Sequence, residues 1–259
     1  DPGDVSKDQR QVGKVQELAL GFASGVCGFL TFARAYNIDL EKLADEAYIS
    51  DEIMDQARGM LEWHRGKGRD PDLEFGLSER AWLTCEAIKT AWRLAHPNTV
   101  SLWKAVEDGF RTAIDSPGKT LTVRRIKIRR DGNWLRMGLP SGRCLCYPFP
   151  EVDDEGALFY KGINQFNRKW LKIYTYSGKL VENLTQAAAR DVIAHNMPLI
   201  ESSGYPIILT VHDEVLTEVP DRPEYNVNHL SAMLARVPEW AEGLPLAAAG
   251  FETYWYKKD

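Results

Sequence analysis

Ser116-Pro117-Gly118-Lys119-Thr120-Leu121-Thr122-Val123 is where the sequence changes texture. Upstream, apolar residues recur at the 3.6-residue spacing of helices. Downstream, Leu121, Val123, Ile126, Ile128, Trp134, Leu135, Met137 and Leu139 follow shorter periods broken by turn residues such as Asp131-Gly132, which is the pattern of hairpins. A helical half followed by a mixed half predicts the α+β class.

Reading back from that boundary, Thr99 to Ile114 and Leu77 to Leu94 are two helices separated by His96-Pro97-Asn98, and Leu40 to Trp63 is one amphipathic helix. Gly66-Lys67-Gly68-Arg69-Asp70-Pro71 has the turn chemistry of a surface loop. Lys7 to Phe22 is a helix with Val12, Val15, Leu18, Ala19 and Phe22 in phase, and Ser6 with Gln9 forms a capping-box pattern at its start. Gly25 and Gly28 break it before a helix over Phe29 to Tyr36. Reading forward, short strands are expected around Arg143 to Tyr147, Leu158 to Tyr160 and Trp170 to Tyr174, then a helix over Gly178 to Ser202. Ile207 to His212 and Glu214 to Val219 read as two strands around a tight turn. A helix over residues 222 to 236 and a strand near Phe251 to Trp255 follow.

Composition excludes several classes. The 259 residues are 44% hydrophobic and 10% aromatic, with 8 Trp, which is far from the composition of a disordered chain and enough for a core without metal or disulfide staples. A net charge of -5 removes any general electrostatic grip on nucleic acid, so such a grip must be a local patch. The longest clean apolar runs, such as Ile207 to Leu209 and Ala247 to Ala249, fall far below the ~20 residues of a membrane span. Cys144 and Cys146 fit one face of a strand and not a zinc site, and no disulfide framework emerges with Cys27 and Cys85. A reducing cytoplasm is the expected location, with no basic-plus-apolar leader. The chain opens on Asp1-Pro2, as a processed or truncated product would. His64, His96, His195, His212 and His229 show no ligand spacing, and no Gly-rich phosphate loop or Ser nucleophile elbow is present.

Four constellations carry candidate chemistry. In Val211-His212-Asp213-Glu214-Val215 an apolar strand runs into two adjacent carboxylates at a turn. These are either a solvated acidic tip or donors to a divalent cation. Arg10, Lys14, Leu18 and Phe22 stand four residues apart on one side of a helix. They make a phosphate clamp beneath a surface for a flat base, or a solvated basic stripe above a core face. Glu182-Asn183-Leu184-Thr185-Gln186, continuing to Arg190-Asp191, offers polar groups on a helix with small Ala residues. They suit minor-groove and sugar contacts, or simply face water. Lys119 to Arg130 holds six cations in twelve residues, as a phosphate track or as a protected edge strand.

Taken together and in order, these stretches resemble the family A DNA polymerases. Asp8-Gln9-Arg10-Gln11-Val12-Gly13-Lys14 with Leu18-Ala19-Leu20-Gly21-Phe22 is similar to motif B, the fingers helix. Glu182-Asn183-Leu184-Thr185-Gln186 with Arg190-Asp191 resembles the palm helix before motif C, and Val211-His212-Asp213-Glu214 resembles motif C. Leu139-Pro140-Ser141-Gly142-Arg143 through Tyr147-Pro148 resembles the hairpin at the fingers–palm boundary. With Thr175-Tyr176-Ser177-Gly178-Lys179-Leu180, its form is closest to bacteriophage and prophage members.

The resemblance implies helical fingers over residues 1–115 and a palm with antiparallel sheet over 116–259. It implies that Arg10 and Lys14 bind the triphosphate of the incoming nucleotide, with Lys14 also a proton donor to pyrophosphate. Leu18 then lies against the sugar and Phe22 beside the templating base. Gln186 reaches the minor groove at the primer terminus, with Arg190 on the same helix and the second polar contact falling on Glu182 or, one residue along, on Asn183. Asp213 is a metal ligand, and His212 and Glu214 support the primer terminus and metal site. The implied activity, in DNA replication, is template-directed addition of deoxynucleotides to a primer 3′ end with two Mg²⁺ ions, which need carboxylates around both reacting oxygens. The motif A carboxylate is not among these residues, so an N-terminal polymerase half carrying motif A is an expected partner, beside primer–template DNA and deoxynucleoside triphosphates. The expected setting is the cytoplasm of a bacterial or phage-infected cell. The rivals are a non-catalytic nucleic-acid-binding remnant and an unrelated metal-dependent phosphohydrolase using Asp213 and Glu214.

Overall fold

The computed structural model describes residues 5–69 and 76–256. In chain order the helices of the first half are α1 (Lys7–Leu20), α2 (Val26–Ala35), α3 (Leu40–Glu46), α4 (Asp51–Gly66), α5 (Glu79–Ala95) and α6 (Pro97–Asp115). Strands β1 (Thr120–Val123), β2 (Ile126–Asp131), β3 (Trp134–Gly138), β4 (Cys144–Pro148), β5 (Glu151–Val152), β6 (Leu158–Ile163) and β7 (Trp170–Thr175) follow. Helix α7 (Ser177–Ser202), strands β8 (Ile207–Val211) and β9 (Glu214–Thr217), and helix α8 (Val227–Leu234) complete the order. The class is mixed α and β with antiparallel sheets, compatible with α+β. The chain forms two compact units, residues 1–112 with 151–182, and 113–150 with 183–259.

In the first unit, α1 starts where the capping pattern places it. The Gln9 N–H donates to Ser6 Oγ and the Ser6 N–H donates to Gln9 Oε1 at 2.9 Å, so two orphan donors are satisfied reciprocally. Val15 and Ala19 are fully buried with Phe29 and Ala33 of α2 and Ala81, Trp82 and Cys85 of α5. Burial pushes the Cys85 thiol up to about 12, which leaves it a core residue and not a nucleophile.

Three expectations are corrected here. The helix α1 ends at Leu20, so Phe22 lies in the following turn and not on the helix; Ala23 takes a left-handed φ of 60° there. Gly25 precedes α2, but Gly28 lies inside it, at a position where a Cβ would come 2.6 Å from Ser24 Cβ. The glycine permits a close approach and breaks nothing. The single helix over Leu40 to Trp63 is two, parted at Ala47, whose ψ is 126°. Asp39 caps the first by accepting from the Glu41 and Lys42 N–H groups, and Ser50-Asp51-Glu52 is a second start signal that apolar periodicity does not register. The loop expected from Gly66 lies in part, at Asp70-Pro71, outside the described residues.

The first unit also holds the antiparallel sheet β5-β6-β7. The second unit holds the meander β1-β2-β3-β4. Its inner face buries Ile128, Leu135, Met137 and Tyr147. Its outer face carries Arg129, Asp131 and Arg136 with exposed Cys144 and Cys146, so the two cysteines do share a strand face. Ile200, Tyr205 and Met233 form a smaller core between α7 and α8. Helix α8 is shorter than the 222 to 236 expected, because Asn226 caps it by accepting from the His229 N–H. Residues Phe251 to Trp255 are not a strand; they are exposed and pair with no strand among the described residues. No helix among the described residues is long and apolar enough to cross a membrane.

Candidate functional site

Each group of candidate residues has its own structural support. On α1, Arg10 and Lys14 are exposed while Leu18 and Phe22 are half-buried. Capping sets the helix start, and the buried Val15 and Ala19 set its rotation, so the two cations are turned to solvent. Lys14 Nζ lies 5.3 Å from the Tyr36 ring centroid, a cation–π distance that restrains a long side chain without neutralising it.

On α7, burial of Leu180, Val181 and Leu184 turns Glu182, Gln186 and Arg190 to one neighbouring face, four residues apart. Glu182 accepts from Lys179 Nζ at 2.9 Å. Asn183 instead donates through Nδ2 to Tyr147 Oη at 3.2 Å, so it ties the helix to β4. Arg190 and Gln186 are exposed. Asp191 is buried and receives Arg143 Nε at 2.6 Å together with the Ser141 hydroxyl. Arg143 also donates to the Ala187 carbonyl at 3.1 Å, and Gly142 takes a φ of 91° that lets Ser141 and Arg143 turn to the same carboxylate. The Ser141-Gly142-Arg143 turn and the polar helix therefore form one clamped element.

The hairpin β8–β9 turns through two residues, His212 and Asp213, with Val211 paired to Glu214. His212 has a φ of 53°, a left-handed conformation that costs a residue with a Cβ roughly 1–2 kcal/mol. His212, Asp213 and Glu214 are all exposed at the tip. Among the described residues the sheet has two strands, and Ile208 and Leu209 are 59% and 46% exposed. Asp213 and Glu214 supply the hard oxygen donors a Mg²⁺-type ion takes. Among the described residues, however, no group of three His, Cys, Asp or Glu gathers to hold a metal. The residues present fit one side of a metal site and not a whole one.

The basic stretch is largely engaged by the protein. Arg129 pairs with Asp131 at 2.9 Å, Arg130 donates to the Gly132 and Ile114 carbonyls, and Arg125 donates to the Trp240 carbonyl. These partners count against a free phosphate track, and the expected edge strand is corrected as well: Lys127, Arg129 and Arg130 lie on β2, which is paired on one side with β1 and on the other with β3.

Three supporting residues are not visible to sequence reasoning. Glu17 accepts from Trp92 Nε1 at 2.9 Å and fixes α1 to α5. Glu107 accepts from the Ser177 N–H at 3.0 Å and pairs with Arg111 at 2.8 Å, holding the start of α7. Gly178 is pressed against the turn after α1: a Cβ there would collide with the Phe22 carbonyl, 2.6 Å from its carbon and 2.7 Å from Ala23 Cβ. Nothing local in Thr175-Tyr176-Ser177-Gly178 marks this glycine, whose reason is a contact more than 150 residues away in sequence.

The chain is 33% identical over 255 residues to the DNA polymerase of Bacillus phage SP02. The similarity covers 96% of this chain, which spans 33% of that polymerase's length. No family model matches the chain, and no solved structure matches it.

Proposed function

We propose that these residues form the fingers and much of the palm of a family A DNA polymerase of phage type, which adds deoxynucleotides to a primer 3′ end. The observation that carries this reading is the similarity to a phage DNA polymerase along almost the whole chain. The exposed Arg10–Lys14 stripe on a capped helix, the Glu182, Gln186 and Arg190 face of α7, and the Asp213 turn support it. In this reading Arg10 and Lys14 grip the triphosphate, with Lys14 placed to give a proton to the leaving pyrophosphate. Leu18 walls the sugar and Phe22 backs the templating base. Gln186, with Glu182 or Asn183 and Arg190, orients the primer terminus. Asp213 holds metal at the hairpin tip, where His212 and Glu214 steady it. Bound Mg²⁺ would supply charge neutralisation at the attacking and leaving oxygens.

The second metal-binding carboxylate, in this reading, comes from a motif A segment outside these 259 residues. Two observations among the described residues support this: no further donors gather around Asp213, and the β8–β9 sheet has two strands with apolar side chains exposed. A two-stranded hairpin is marginal without a further strand or helix against it. Primer extension tests the proposal. The 259-residue chain alone should not extend a primer, and a polypeptide that carries Asp-x-Ser-x-x-Glu on a strand should restore extension when added or when fused upstream of the fingers helix. Robust extension by the chain alone would overturn the shared metal site. Binding of primer–template without extension, even after complementation, would make the chain a non-catalytic remnant.

A further inference from the structure

The β6–β7 hairpin turns an unusual face to solvent. Its register sets Phe159 opposite Tyr174, Lys161 opposite Lys172 and Ile163 opposite Trp170, so these six share one face, on which Phe159 is buried, Lys161 half-buried and the other four exposed. Along β7 exposure alternates, with Trp170, Lys172 and Tyr174 out and Leu171, Ile173 and Thr175 in. Trp170, Tyr174 and Ile163 are 56%, 59% and 59% exposed, and Phe166 in the connecting turn is 97% exposed. Lys172 Nζ stands 4.2 Å from the Phe159 ring centroid, and the Phe159 and Tyr174 rings are 5.9 Å apart. The charges are segregated. Arg168 and Lys169 belong to the turn and Lys161 and Lys172 form a cross-strand pair at mid-hairpin, whereas Glu151, Asp153, Asp154 and Glu155 lie at the β5 end.

We propose that this face is a stacking platform for single-stranded DNA. Trp170 and Tyr174 are separated by a cation on the same strand face, and successive positions on that face lie ~6.7 Å apart. Rings standing out of a sheet offer flat surfaces that unstacked bases can cover, while the bases of a duplex are already stacked. Arg168 and Lys169 at the turn, with Lys161 and Lys172 at mid-hairpin, complement a polyanion in a chain of net charge -5 and set the orientation of the strand. Phe166, Trp170 and Tyr174 are exposed close together among the described residues, as the apolar part of a binding surface is. The proposal goes beyond the polymerase reading, in which this hairpin has no part.

Fluorescence anisotropy with a labelled oligothymidylate of about 12 nucleotides tests it on the full 259-residue chain. The chain should bind the oligothymidylate, and a blunt duplex or oligouridylate should compete poorly. Trp170→Ala should weaken binding about tenfold. Lys172→Glu should weaken it and flatten the salt dependence. Phe166→Ala should weaken it several-fold, and a side chain 97% exposed cannot do so by unfolding the protein. No binding by the wild-type chain, or binding that ignores all three substitutions, overturns the platform. Equal competition by oligouridylate overturns the assignment to DNA. Extension that proceeds while binding ignores the hairpin would sink this proposal alone; hairpin-dependent binding without any extension after complementation would sink the polymerase reading alone.

Discussion

Helix α1 and the β8–β9 hairpin hold the two most chemically loaded stretches of the chain, and they are built in opposite ways. The helix is finished by its surroundings: a reciprocal cap at Ser6, fully buried Val15 and Ala19, Glu17 held by Trp92, and a terminal turn pressed by Gly178. The hairpin has two strands, exposed Ile208 and Leu209, and a turn through a strained His212. In the proposed reading, the groups that would bind a mobile substrate sit on a rigid, self-sufficient element, and the carboxylate that would share a metal with another segment sits on an element whose own packing is incomplete.

The sharpest test of this contrast is Asp213→Ala. In the complemented enzyme it should lower kcat by about a thousandfold or more while primer–template affinity stays within a few-fold, because charge stabilisation in the transition state is lost and ground-state contact is not. Steady-state extension with saturating Mg²⁺, beside a binding titration, checks it; near-normal turnover would reduce Asp213 to a turn residue. Lys14→Ala should lower kcat about a hundredfold and raise the KM for nucleotide, with Arg10→Ala acting mainly on KM. Single-turnover kinetics that show neither variant affected would return the stripe to a solvated face.

Two smaller effects probe the scaffolds themselves. Gly178→Ala should destabilise the chain by about 2–3 kcal/mol in urea denaturation, because the new Cβ meets backbone that cannot move without shifting the end of α1. An unchanged midpoint would mean that α1 is not braced at its end. His212→Gly should work the other way and stabilise by about 1 kcal/mol, since glycine accepts the φ of 53°. The same variant should lose activity if the imidazole supports the primer terminus. Destabilisation would show that the turn depends on the His212 side chain.

Much of this was legible in the sequence where physics is local. The cap at Ser6 and Gln9, the texture change at Ser116-Pro117-Gly118, and the tight turn between Val211 and Glu214 each depend on residues within a few positions of one another. The misreadings arose where local pattern and contact diverge. Gly28 looked like a break and is a contact with Ser24; Leu40 to Trp63 kept its helical phase across a break that Ala47 and Ser50 impose. Phe251 to Trp255 has strand-like residues and no strand to pair with among the described residues. Of the candidate residues, the sequence placed Arg10, Lys14 and Leu18 on one helix and Asp213 in a turn, but it did not separate Asn183, bonded to Tyr147, from the exposed Gln186.

By itself the sequence determined the helical half and the mixed half, the start of α1, the meander after Ser116, and the chemical identity of every candidate group, because caps, turn residues and side-chain periodicity act over one or two turns of chain. Only the tertiary structure decided which of those groups are held and by what. Asp191 became the clamp for Ser141 and Arg143 across 50 and 48 residues, Glu107 the anchor of the Ser177 N–H across 70, and Gly178 the seat of the turn at Phe22. Such contacts require distant backbone to be brought within a few ångströms by burial elsewhere, and no local pattern in the chain encodes that approach.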